Sequence, residues 1–169
     1  MADHLIDMVD ENDIIIGSEL KSRKPDLGFI SRVVAIFLKD HDGKLIVCKR
    51  GSHKKLAAEK WDLAAFGNVD VGEDYTRSAS RELKEELDIT CELKMLDKIY
   101  QEIEHKGNKL KIFCGIFIGI TDAEPRLNHE ITEFKKMTLE EIDIELSLNP
   151  EDFCEGFVND FKQVRDKLK

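Results

Sequence analysis

Glu82, Glu85 and Glu86 follow Arg81 closely in the run RELKEELDI, residues 81–89. On an α-helix of about 3.6 residues per turn, positions i, i+3 and i+4 share one face, so the three carboxylates converge. Like charges at this spacing repel by roughly 0.2–0.5 kcal/mol per pair, and by more where water is partly excluded. A neighbouring cation offsets that repulsion, here Arg81 four positions before Glu85, and so does a bound divalent metal. Carboxylates are hard oxygen donors that suit Mg2+ or Mn2+, with water and phosphate oxygens completing the shell. A solvated acidic helix face has the same letters, and the three glutamates alone do not separate the two cases.

The upstream residues do. Gly67 lies six positions before Glu73, and Glu73 eight before Arg81, so residues 67–89 read G-x5-E-x7-R-E-L-x-E-E-x-D-I. This segment resembles the Nudix box, G-x5-E-x7-R-E-U-x-E-E-x-G-U, where U is a bulky aliphatic residue. It matches at every specified position except Asp88, which stands in place of glycine. The resemblance implies an α/β fold, a Nudix-type α/β/α sandwich with a mixed β-sheet between helices. It also implies Mg2+- (or Mn2+-) dependent hydrolysis of a nucleoside diphosphate linked to a moiety X, or of a related diphosphate compound. Such an ion would neutralise the diphosphate, which the acidic site alone would repel, and would lower the pKa of water.

Residue roles follow from the same resemblance. Glu82, Glu85 and Glu86 are the implied metal ligands, joined by the backbone carbonyl of Gly67, where no side chain blocks approach. Arg81 orients the glutamates through its guanidinium fork. Glu73 organises the passage from loop to helix, and either Glu86 or Glu82 takes the proton of the attacking water. NHEITEFKKMTLEEI, residues 128–142, resembles the stretch that often adds an acidic group, for which Glu130 and Glu133 are candidates. The alternative there is a polar loop entering a helix. Arg50, His53, Lys54 and Lys55 stand as phosphate contacts or as a solvated loop. Phe29, Trp61 and Phe66 stand as stacking partners for a base or as core.

A narrower resemblance links residues 7–17 and 49–73 to the subgroup of isopentenyl-diphosphate isomerases and their hydrolase relatives. The isomerases need a cysteine just before the box glycine and a metal-binding histidine just after it. Here Phe66 and Asn68 occupy those positions, and residues 27–33 lack the further histidines expected there. Cys48 and Cys114 sit in apolar strand patterns and read as buried structural thiols. The hydrolase relatives are therefore the nearer pattern, with an isomerase or a non-catalytic ligand-binding module as alternatives.

Several elements must position these groups. Residues 5–9 and 14–16 flank a turn-like DEND and read as a hairpin, followed by a connector over 22–26. Domain limits of 1–28 for this appendage and 29–169 for the catalytic unit follow. Residues 32–38 form an apolar, β-branched strand, with 44–49 as hairpin partner after His41-Asp42-Gly43. Residues 51–60 read as loop and 61–66 as a short strand. Ala79, Leu83 and Leu87 recur every fourth residue, predicting a helix over 74–87 with Asp74 as N-cap. Residues 93–104 and 110–120 are strands around Lys106-Gly107-Asn108. Thr138 and Glu141 form a capping box for a short helix over 138–142. Phe153, Phe157, Phe161 and Val164 mark a C-terminal amphipathic helix. Asp88 falls where a left-handed residue ends the first helix, a conformation Asp adopts more readily than most.

The 169-residue chain suffices for one domain with a sizeable core, and its net charge of −9 disfavours the phosphate backbone of nucleic acids. The four cysteines are dispersed, which argues for reduced thiols over a zinc site or disulfide framework. No apolar run approaches the ~20 residues that span a bilayer, and no leader pattern opens the chain. The expectation is a cytoplasmic protein with a small-molecule diphosphate substrate, without nucleic-acid or membrane partners, and with a homodimer in keeping with the family.

Overall fold

The computed structural model describes residues 3–54, 57–105 and 107–169. Lys55 of the basic loop and Lys106 of the expected turn lie outside them. A hairpin of β1 (Leu5–Val9) and β2 (Ile15–Leu20) opens the chain. The stretch read as a connector is a 3-10 turn followed by the short helix α1 (Lys24–Leu27), which ends on Gly28 in the left-handed region at φ 64°.

The strand β3 (Ile30–Lys39) carries the sheet. Its parallel partner along its full length is β8 (Asn108–Ile120), while β6 (Ala65–Asn68) runs antiparallel to it from Val33 to Ile36. Covered on both faces, β3 has a continuous apolar run instead of strict alternation. β4 (Leu45–Arg50) follows a turn at Gly43, but its ladder with β3 lasts only two pairs, Leu38 with Ile46 and Lys39 with Leu45. It then pairs with β5 (Trp61–Asp62) and with β9 (Ile131–Met137). The expected single strand over 61–66 is thus two, because β5 pairs with β4 and β6 with β3. β7 (Leu93–His105) forms the hairpin with β8.

Alternation along β3 sorts the core into two layers. Val33, Ala35 and Phe37 face the side covered by α3 (Leu139–Leu148) and α4 (Glu155–Val164), where Phe153, Phe157 and Phe161 stack in sequence. Val34, Ile36 and Leu38 face α2 (Tyr75–Leu87) through Ala79, Leu83 and Leu87. The result is the expected α/β/α sandwich around a mixed sheet. α3 begins at the predicted Thr138–Glu141 capping box and continues to Leu148. All four cysteines are free, with Cys48, Cys114 and Cys154 buried. Among the described residues no helix is long and apolar enough to cross a membrane.

Two local features set the frame around the site. Asp13, at the tip of the first hairpin, is buried and left-handed at φ 62°. Its carboxylate accepts from Arg32 Nε at 2.6 Å, Lys98 Nζ at 2.6 Å and the Tyr75 hydroxyl at 3.1 Å. It thereby ties the hairpin to β3, β7 and the start of α2. At the other end of α2, Asp88 caps the helix at φ 58°, its N–H bonded to the Lys84 carbonyl and its side chain paired with the Lys84 ammonium.

Replacing Asp13 with Ala leaves two cations without their shared partner. We expect a loss of roughly 2–4 kcal/mol in urea denaturation, below the full cost of breaking a buried pair because Lys98 is partly solvated. A loss under about 0.5 kcal/mol would show that the cluster does not hold the hairpin. Asp88→Gly relieves the left-handed strain but loses an exposed ion pair, for a small net gain in stability with catalysis unchanged. A large change in activity would contradict this reading of Asp88.

Candidate active site

α2 reaches the sheet because Asp74 starts it cleanly, its carboxylate accepting from Arg77 N at 2.8 Å. The apolar stripe then seats the helix, and the next face turns Glu82, Glu85 and Glu86 toward β6. The contact is very close. A Cβ placed on Gly67 would lie 2.0 Å from Cδ of Glu82, so no other residue fits without displacing that carboxylate. Glycine at 67 thus leaves the room that the Glu82 carboxyl occupies, a reason independent of whether its carbonyl meets a metal.

Arg81 organises the cluster. Its Nε donates to both Glu73 oxygens at 3.2 and 3.1 Å, and Nη2 to Glu73 at 3.0 Å and the Asn68 carbonyl at 3.0 Å. Nη1 donates to Glu82 at 2.7 Å and Glu85 at 3.3 Å. Ser78 Oγ donates to Glu73 at 2.6 Å. Burial raises the pKa of Glu73, but the Arg81 and Ser78 bonds outweigh it and hold the carboxyl below its ordinary value. Glu73 therefore anchors Arg81, the organising role expected for it.

The two inner carboxylates are the least comfortable. Burial raises the pKa of Glu82, with Arg81 opposing and Glu85 adding to the rise. Glu86 is pushed up to about 8 by burial, then by the charges of Glu82 and Glu130, with the Phe66 N–H and Lys54 only partly compensating. Glu85 is 60% exposed at its side chain, facing solvent at the rim. Glu82, Glu86 and Glu130 thus form a hard-oxygen set on which local cations leave net repulsion. That is the environment a divalent metal fits, with Glu85 within reach at the rim.

A cleft of about 810 Å³ opens over these groups. Gly67, Arg81, Glu82, Glu85, Glu86 and Glu130 line it, as do the expected substrate contacts Arg50, Lys54 and Phe66. Arg50 Nη1 pairs with Asp62 at 3.0 Å and Lys54 Nζ with Glu130 at 3.2 Å, so both cations already serve carboxylates at the cleft wall. Of the two later glutamates, Glu130 lines the cleft, while Glu133 on β9 pairs with Lys49 at 3.6 Å. His53 packs on His129, ring centroids 5.3 Å apart, and these two histidines bring donors within 4.8 Å of a Glu130 oxygen. Trp61 lies under the Lys135 ammonium, 4.1 Å from its ring centroid, and packs against the α3/α4 core. Neither it nor Phe29 lines the cleft, whereas Phe66 does, 37% exposed.

The cleft also contains residues that local sequence patterns did not single out. His4, Lys21, Lys24 and Pro25 reach it because the first hairpin folds back along the sheet, and Val33, Ile103, Leu110 and Ile112 give it an apolar floor. The pairings of β3 with β1 and β8 and of β8 with β7, with α1 packed on β8, bring these groups together.

Comparison with known proteins agrees with this architecture. The family model of the NUDIX domain matches residues 30–155. An uncharacterized Nudix hydrolase of Pseudomonas aeruginosa is 37% identical over 75% of this chain and 73% of its own. An isopentenyl-diphosphate Δ-isomerase of Serratia proteamaculans is 27% identical over 96% of this chain and 92% of its own. Among solved structures, a Deinococcus radiodurans protein superposes with a TM-score of 0.71 at 26% identity, covering 86% of this chain and 90% of that one. A MutT protein from Methanosarcina mazei, at 22% identity, shares the fold with a TM-score of 0.67 over 83% of this chain and 96% of its own. With three quarters of the chain matched and the box residues gathered on one cleft wall, this protein belongs to the Nudix hydrolase superfamily.

Proposed function

We propose that the protein hydrolyses the pyrophosphate linkage of a nucleoside diphosphate linked to X, or of a related small diphosphate compound, using Mg2+ or Mn2+. The observation that carries this reading is the convergence of Glu82, Glu86 and Glu130 on one cleft wall, with Arg81 and Lys54 leaving the inner carboxylates in mutual repulsion. Glu82, Glu85, Glu86 and Glu130, with the Gly67 carbonyl, would hold the ion. When bound, it would supply charge neutralisation for the diphosphate and acidify water.

The chain's own residues do the rest. Arg81, locked by Glu73, keeps Glu82 and Glu85 from turning away. Either Glu86 or Glu82 takes the proton of the attacking water, both lying at the cleft wall within the same acidic set. Arg50 and Lys54, both at the wall, face the phosphates, and Phe66 borders the space for X.

An isomerase reading has less support. Phe66 and not a thiol precedes Gly67, and Cys48 and Cys114 are buried in the two core layers. Burial, then the charges of Asp62 and Glu86, pushes the Cys48 thiol up to about 12.

A panel of nucleoside diphosphate derivatives, ADP-ribose included, together with isopentenyl diphosphate, tests the proposal by metal-dependent phosphate or nucleotide release. We expect Glu85→Gln and Glu86→Gln to lower kcat by at least about 100-fold. Saturable binding without turnover in either metal would favour a sensor, and isomer formation from isopentenyl diphosphate would overturn the ranking. A second prediction follows from the sign of the Glu86 shift. Its folded pKa, about 8, exceeds the ordinary 4.5, so the folded state binds more protons and stability falls as pH rises between those values. Metal-free Tm should therefore drop across that window, and Mg2+ should restore more at its upper end. Glu86→Gln should flatten both effects, and an unchanged pH slope in that variant would assign the drop elsewhere.

A further inference from the structure

Lys24 is 7% exposed and lines the cleft, yet among the described residues its ammonium makes no hydrogen bond or ion pair. Burying a cation without a partner is costly, and proteins rarely retain one without a use. Burial, then the charge of Lys21, lowers its pKa to about 8. Lys21 in turn acts on Glu82, whereas no carboxylate acts on Lys24. Lys21 and Lys24 line the same cleft as the acidic wall. The helix α1 that carries Lys24 packs against β8, which contributes Leu110 and Ile112 to the lining, and Pro25, Val33 and Ile103 add further apolar surface to the same cleft.

We propose that Lys24 is a specificity-determining residue that receives an anionic oxygen on the X side of the substrate, above the apolar floor. The substrate class is then a diphosphate compound whose X group joins an apolar body to a further anion, a phosphoryl or a carboxylate. This rests on the hydrolase reading only for the position of the diphosphate. The geometry supplies both halves of the subsite. A lone ammonium provides up to three donors to an anion, and the floor contributes contact area that a bare ion leaves unused.

The test is done without metal, so its failure is separate from failure of the hydrolase reading. Thermal unfolding and calorimetric titration are run on the full chain with two probes, inorganic pyrophosphate and hexanoate. The variants are Lys24→Met, which keeps the length and removes the charge, and Lys24→Arg, which keeps the charge. Wild-type protein should bind and be stabilised by at least one probe. Pyrophosphate alone would identify a phosphoryl source, hexanoate alone a carboxylate. Lys24→Met should unfold at a higher temperature than wild type when no ligand is present. It should also bind the probe about tenfold or more weakly, whereas Lys24→Arg retains binding. Lower ligand-free stability in Lys24→Met with undiminished probe binding would make Lys24 structural and overturn the proposal. So would absence of probe binding to the wild type.

Discussion

The carboxyl of Glu82 can lie against β6 because residue 67 has no side chain. The space a Cβ would need is filled by that carboxyl, which is thereby held at the cleft wall. Once Glu82 is placed there, Glu86 follows one turn later and is also drawn out of water. The repulsion that results must be managed locally. Arg81 does so for Glu82 and Glu85, and it can because Glu73, itself braced by Ser78, and the Asn68 carbonyl hold its guanidinium still. Nothing comparable among the described residues serves Glu86, which has the Phe66 N–H at 3.4 Å and then the charge of Lys54, itself paired with Glu130. The motif is thus a packing arrangement as much as a list of ligands. A backbone contact forces two carboxylates into a poorly solvated wall, and a single arginine keeps the wall from collapsing.

The rest of the fold serves that wall. β3 presents one apolar face to α2 and the other to α3 and α4, so the catalytic helix is seated on a sheet that is rigid from both sides. Asp13 binds Arg32, Tyr75 and Lys98 at once, fixing the first hairpin against the N-terminal end of α2. That hairpin in turn delivers Lys21 and Lys24 to the cleft. The acidic box and the basic N-terminal segment are distant in sequence but line the same cleft.

Much of this was legible in the letters. The helix over 74–87, both of its caps, the capping box at Thr138 and the C-terminal aromatic helix follow from local rules of periodicity and capping, which tertiary structure had no reason to override. The family pattern gave Glu73 as an organiser of the passage from loop to helix, and its bonds to Arg81 are seen only in the structure. What sequence did not yield depended on long-range pairing. β9 is rich in charge and reads as loop until its ladder with β4 is seen, and the division of residues 61–66 reflects two different partner strands. The choice of Glu130 over Glu133 is likewise a matter of which residue faces the cleft. Lys24 carries no local signal, since a lysine before proline in a basic stretch is ordinarily solvated. Its burial appears only when the hairpin is folded onto the sheet.

The central claim is that the glutamates of α2 with Glu130 hold a divalent metal ion that offsets their mutual repulsion. Mn2+ titration followed by electron paramagnetic resonance tests this most directly, because it counts bound ions without reference to substrate. The account predicts saturable Mn2+ binding to the wild type, competed by Mg2+ and lost or sharply weakened in Glu86→Gln. Binding of equal strength in that variant, or no saturable binding to the wild type, would contradict it.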